Sequence, residues 1–274
     1  MLKTLFKLAS VEVFPFRALI RALFKRFYFG LSLDLRFELG VLERQHYAYV
    51  IHEAASLARR LGYPRISIVE FGVAGGRGLL FLETYAEWAE KKLGVQIEIY
   101  GFDTGSGLPE PLDYRDLPYH WRRGFYAMNK ESLLDKLRRS KLILGNVDDT
   151  VKTFIDIYKP APVGAVLHDM DFYSSTVSSL TLFRESPKFL MPRVFCYFDD
   201  TIGSAVELYS EYTGQRLAIK EFNEKLSQRK FATPFYLRVQ QARGIWVNQI
   251  WILHIFDHPD YNRFISQADQ QLPL

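Results

Sequence analysis

The chain has 274 residues, a formal charge of +4, 48% hydrophobic residues and 24% charged residues, the balance of a globular protein with a substantial core. Its one cysteine, Cys196, excludes an internal disulfide, and with no Cys/His cluster a structural zinc site is excluded too. Residues 1–30 carry six basic groups against Glu12, so the rest of the chain sums to −1, which excludes a general nucleic-acid-binding stripe on the body.

In those first 30 residues Leu and Phe alternate with the charges, and no apolar run approaches the roughly 20 residues that span a bilayer. Two readings stand for this segment: a basic amphipathic stretch lying on an anionic membrane surface, or a helix packed on the domain or on a second subunit. We divide the chain into an N-terminal extension, 1–33, and one domain, 34–274, and expect a cytoplasmic protein, membrane-peripheral on the first reading, that forms a homo-oligomer. Helical spacing covers residues 34–61 and stops at Gly62-Tyr63-Pro64. The β-branched run 66–71 predicts a buried strand, followed by a glycine turn and a helix over 79–92. A second strand covers 95–103. A polar, proline-bearing insertion over 104–129 has the character of a lid. Helix is predicted for 130–139, 150–158 and 174–189, and strand for 142–144, 163–168 and 194–198. Residues 235–239 and 249–256 are strand-like and too close for a helical crossover, so they are expected to pair antiparallel. The alternation predicts an α/β, Rossmann-like fold, a mostly parallel sheet with an antiparallel C-terminal pair and helices on both faces.

The turn Glu70-Phe71-Gly72-Val73-Ala74-Gly75-Gly76-Arg77-Gly78 sits between a strand and a helix. Glycine permits the tight turn and a close ligand, and free N–H groups at the helix start suit an anionic group. Asp103, closing the second strand, is placed to meet two ribose hydroxyls. Alanine stands at 74, where a dinucleotide motif has its second glycine, and Glu70 precedes the first; both features favour S-adenosylmethionine over NAD. Strand four ends in His168-Asp169-Met170-Asp171 and strand five in Asp199-Asp200. Such a crowd of carboxylates at one sheet edge calls for a cation, and hard oxygen ligands select Mg²⁺ or a similar ion. Helix capping explains one acid per strand end and leaves the second unexplained.

These stretches, with Tyr100 to Pro109, Leu144 to Thr150 and Asp169 to Thr176, resemble the metal-dependent class I O-methyltransferases of the macrocin O-methyltransferase type, over about residues 40–255. The chain departs from that pattern at Gly105, Ser106, His168, Met170 and 191–193. The resemblance implies a cofactor site of Glu70, Phe71, Gly72, Val73, Gly75, Gly76, Asp103, Thr104 and Asp148, and a metal held by Asp169, Asp199 and Asp200. The implied reaction is methyl transfer to a hydroxyl of a sugar or natural-product-like acceptor, with Asp171 as the first choice of base and His168 the second. Seven basic groups between Arg122 and Lys141 suit an anionic acceptor, and also an ordinary solvated helix face. Rival readings are an NAD(P)-dependent oxidoreductase, a metal-dependent hydrolase, and a non-catalytic module on a degenerate methyltransferase fold.

Overall fold

The computed structural model describes residues 30–239 and 244–266. Most of the N-terminal extension, and with it the proposed membrane contact through residues 1–30, lies outside the described residues. Among those described, no helix is long and apolar enough to cross a membrane.

Helix α1, Leu33–Leu39, is capped by Gly40 at φ 67°. That left-handed residue breaks the single helix expected over 34–61, and α2 restarts as Gln45–Leu61. Then follow β1 (Arg65–Phe71), α3 (Arg77–Leu93), β2 (Gln96–Asp103), α4 (Lys130–Leu134), β3 (Lys141–Leu144), α5 (Val147–Tyr158), β4 (Val163–His168), α6 (Tyr173–Ser179), β5 (Leu190–Phe198), α7 (Gly214–Lys225), β6 (Arg229–Ala232), α8 (Phe235–Arg238) and β7 (Ile250–Ile255). The seven strands form one sheet in the order β3-β2-β1-β4-β5-β7-β6. Strands β1 to β5 run parallel, and β7 is antiparallel to both of its neighbours.

The expected antiparallel closing pair is present, with a different partner. Strand β6 is Arg229–Ala232, while residues 235–238 turn into the short α8 behind Pro234. Proline fixes φ near −65° and has no N–H to give a ladder, so it ends the strand before 235. The helix predicted over 174–189 is also shorter. Regular α6 stops at Ser179, and two short 3₁₀ segments, Leu180–Arg184 and Pro187–Phe189, carry the chain to β5. Likewise α4 covers only the first half of 130–139.

Two apolar clusters, one on each face, hold the sheet. Ile66 and Ile68 of β1 with Ile97 and Ile99 of β2 pack under α2 and α3. Val69 and Phe71 with Tyr100 and Phe102 face α5, α6 and α7. This is the two-residue alternation of a strand covered on both sides. Strand order reverses between β1 and β4, and in an open α/β sheet that switch point, at the carboxyl ends of the strands, is where ligands bind.

Candidate active site

A cavity of about 440 Å³ opens at that point, lined by the turns that follow β1 to β5. Its floor is the turn after β1. Gly72, at φ 86°, donates its N–H to the Phe102 carbonyl at 2.9 Å. A Cβ there would lie 1.7 Å from the Asp169 carbonyl oxygen, so no other residue fits. Gly78 is required for a different reason: its Cβ would stand 1.9 Å from Oε1 of Glu70. Gly75 faces the cavity, and a Cβ added to it would meet nothing within 4 Å. The fold itself does not demand glycine at that position; a ligand pressed against the backbone would.

Asp103 ties this turn to β2. Its Oδ2 accepts the N–H groups of Val73 at 2.9 Å and Ala74 at 2.8 Å, and its Oδ1 accepts that of Gly105 at 2.6 Å. Thr104 donates to the Gly107 carbonyl at 2.6 Å and sets the bend into residues 104–129. Those residues hold one 3₁₀ turn, Tyr114–Asp116. They bring Trp121 and Tyr126 to the cavity wall, with ring centroids 5.9 Å apart.

Glu70 is buried, with Tyr47 of α2 donating to its Oε1 at 2.5 Å. Its Oε2 is buried with no hydrogen-bond partner among the described residues. Burial pushes the carboxyl up to about 7, against the opposing pull of the Tyr47 hydroxyl and the Arg44 charge.

The opposite wall is acidic. Asp169, Asp171, Asp199 and Asp200 all line the same cavity. Asp171 is buried at φ 60°, a strained backbone for a residue with a side chain. Its N–H donates to Oδ2 of Asp200 at 2.9 Å. The other oxygen of Asp200 accepts the Tyr209 hydroxyl at 3.1 Å, and Oδ1 of Asp199 accepts the Tyr197 hydroxyl. Burial and the mutual repulsion of these groups raise the affinity of Asp169, Asp171 and Asp200 for a proton well above that of an ordinary carboxylate. The cavity therefore crowds carboxyl groups that favour a bound proton or cation. Among the described residues, however, no three acidic, cysteine or histidine groups converge as a set of metal ligands.

The structure thus gathers Glu70, Phe71, Gly72, Val73, Gly75, Asp103, Thr104, Asp169, Asp171, Asp199 and Asp200 on one cavity. Three expected residues are absent from it. Gly76 supports the turn from behind, against Leu133. Asp148 points outward and pairs with Lys152 at 2.8 Å, because it is the second residue of α5; Asn146 and Val147 are the ones that reach the cavity. His168 is corrected as a candidate base. Its ring is fully buried, stacked 4.3 Å from Phe198 and 5.4 Å from Phe71, and it does not line the cavity. Burial pushes it down to about 3. Trp121, which the sequence offers together with His120 as a stacking group for a flat acceptor, is on the wall, whereas His120 does not line the cavity. Sequence reading missed Arg44, Tyr47, Tyr126 and Glu207. Arg44 and Tyr47 start an otherwise ordinary amphipathic helix, where no local motif marks them.

No protein-family model and no curated protein matches the sequence. Solved structures do. A calicheamicin methyltransferase aligns at a TM-score of 0.51 with 21% identity, over 81% of this chain and 82% of that one. The O-methyltransferase NovP aligns at 0.48 with 18% identity, over 66% and 72%. The apo form of a TDP-rhamnose 3'-O-methyltransferase of calicheamicin biosynthesis aligns at 0.44 with 19% identity, over 76% and 84%. At such an identity the first of these establishes the architecture alone, and the chain has the Rossmann-like fold of that methyltransferase.

Proposed function

We propose that the protein is an S-adenosylmethionine-dependent O-methyltransferase, assisted by a divalent cation, acting on a hydroxyl of a sugar or natural-product-like small molecule. One observation carries the reading. A single cavity at the switch point has a glycine turn tied by Asp103 on one side and four carboxylates on the other.

The first turn suits the cofactor, while the cation is supported by the chemistry of the acidic wall and not by a converged ligand set among the described residues. The partnerless Oε2 of Glu70 and the open face of Gly75 suit a ligand with a cationic end lying against the first turn. Gly72, Val73, Gly75, Asp103, Thr104 and Asn146 would complete the cofactor's bed. For the cation, Asp169, Asp199 and Asp200 supply hard oxygens on one wall of the cavity. Each hydrogen-bonded oxygen of Asp199 and Asp200 keeps a second lone pair to give. When bound, the cofactor supplies an electrophilic methyl carbon and the cation makes an acceptor hydroxyl more acidic.

The chain's own residues do the rest. Asp171 is the base: neither it nor Asp169 has a side-chain oxygen held by a tyrosine, as Asp199 and Asp200 do, Asp169 is assigned to the cation, and the raised proton affinity of Asp171 suits accepting a hydroxyl proton. Residues 104–129 act as the lid, and Trp121 and Tyr126 offer apolar faces to the acceptor. Alignment of the reacting atoms is the main work left to the walls. Calorimetry with S-adenosylmethionine and NAD, followed by methyl transfer to a panel of sugars with and without EDTA, tests this. Binding of NAD alone overturns the methyltransferase assignment, and turnover unchanged by EDTA removes the cation.

A further inference from the structure

The Arg44 side chain makes no hydrogen bond or ion pair among the described residues that accounts for its position. The residue precedes α2 in the left-handed conformation, φ 48° and ψ 52°, and makes no side-chain capping bond. Holding a non-glycine residue there costs on the order of 1 kcal/mol. Its guanidinium lies over the Tyr47 ring, 4.9 Å from the centroid, and lines the cavity. The other cation among the described residues of the cavity wall, Arg77, is paired with Glu43. Arg44 forms no ion pair among the described residues, although Glu70 and Asp169 are near enough to act on its charge.

Beside it stands the complementary group. Glu70 holds Oε1 on the Tyr47 hydroxyl and leaves Oε2 buried and bare. Tyr47 therefore links the two, with its ring under the guanidinium and its hydroxyl on the carboxylate. An unpaired guanidinium and a bare carboxylate on one wall match the two charges of an α-amino acid, a carboxylate and an ammonium on one carbon. Sheet order supports the placement. Asp103, Thr104, Gly145 and Asn146 line the β2–β3 side of the cavity, and Arg44, Tyr47 and Glu70 the α2 side. A ligand with a nucleoside at one end and an amino acid at the other spans the two.

We infer that Arg44 holds the α-carboxylate of the cofactor's methionyl tail, with Glu70 facing its ammonium; this rests on the cofactor reading above. Guanidinium and carboxylate match as fork to fork, so a lysine at 44 restores charge without the second bond. The test is calorimetry on the full chain with two probes. S-adenosylhomocysteine carries the amino-acid tail, and 5'-methylthioadenosine lacks it. Arg44→Gln should weaken S-adenosylhomocysteine by about 30-fold, the usual scale for one charge-assisted contact, and shift methylthioadenosine by less than about threefold. Arg44→Lys should fall between wild type and Arg44→Gln for the first probe only. Equal loss for both probes, or no loss for either, overturns the assignment. Should the wild-type protein bind neither nucleoside, the cofactor reading itself fails, a result distinct from the variant's.

Discussion

Oδ2 of Asp103 accepts the amide hydrogen of Ala74 at 2.8 Å, and Ala74 sits at φ 47°, in the region that favours glycine. The side chain at position 74 differs from that of a dinucleotide motif, yet the backbone there takes a glycine-like shape.

Replacing Ala74 with glycine should stabilise the protein. Relief of the left-handed strain is worth about 1–2 kcal/mol, and the added freedom of the unfolded chain returns about 0.4–1 kcal/mol of it. A rise in Tm of about 1–4 °C is expected in a thermal melt. A fall would mean that the Cβ of Ala74 does packing that outweighs the strain.

Glu70 should make the protein less stable as pH rises. Its carboxyl is pushed from an ordinary 4.5 up to about 7, so between those values the folded state binds more protons than the unfolded one. Stability then falls across that window, by up to about 3 kcal/mol. Glu70→Gln keeps an oxygen for Tyr47 and loses the titration. Its Tm relative to wild type should climb between pH 4.5 and 7.5; a difference that stays flat with pH contradicts the assignment.

His168 should be dispensable for chemistry. Ser179 Oγ donates to the Thr176 carbonyl at 2.8 Å and lies 3.1 Å from Nδ1 of His168. The serine's one proton is thus used, and Nδ1–H of the histidine is the donor in that pair. Nε2 is left bare and buried. His168→Leu should keep turnover within about threefold. Because burial pushes the imidazole down to about 3, the unfolded chain takes up a proton below about 6.5 that the folded one refuses. The wild type therefore loses stability as pH falls from 6.5, and His168→Leu should blunt that loss in acid melts. A hundredfold drop in kcat would restore the histidine to the reaction.

Asp199→Asn should uncouple the cation from the cofactor. The amide retains an oxygen for the Tyr197 hydroxyl while removing one charge from the acidic wall. We expect kcat to fall by more than about 100-fold, the scale of losing a metal's contribution, with S-adenosylhomocysteine affinity within about threefold. Retained turnover that no longer responds to EDTA would show the wall to work without an ion.

Much of this was legible in the sequence because it depends on short-range pattern. The β-branched run 66–71, the glycines after it and the acids closing strands four and five each speak through neighbours in the chain. What stayed hidden depends on register. Phe71, His168 and Phe198 are cross-strand partners in adjacent parallel strands, so they share a face and their rings stack; nothing local to residue 168 tells which face that is. The tyrosine hydroxyls on Glu70 and Asp200 come from α2 and from the stretch before α7, and their meeting is set by packing. Ala232 and Phe235 lie three residues apart, yet one ends a strand and the other starts a helix, because Pro234 intervenes.

The space where Gly72 lacks a side chain is filled by the Asp169 carbonyl. Nucleotide bed and acidic wall therefore share one steric boundary, with no slack for either to move or mutate alone. For anyone seeking to graft a new specificity onto this scaffold, those two loops form a single cassette to be exchanged together or left untouched.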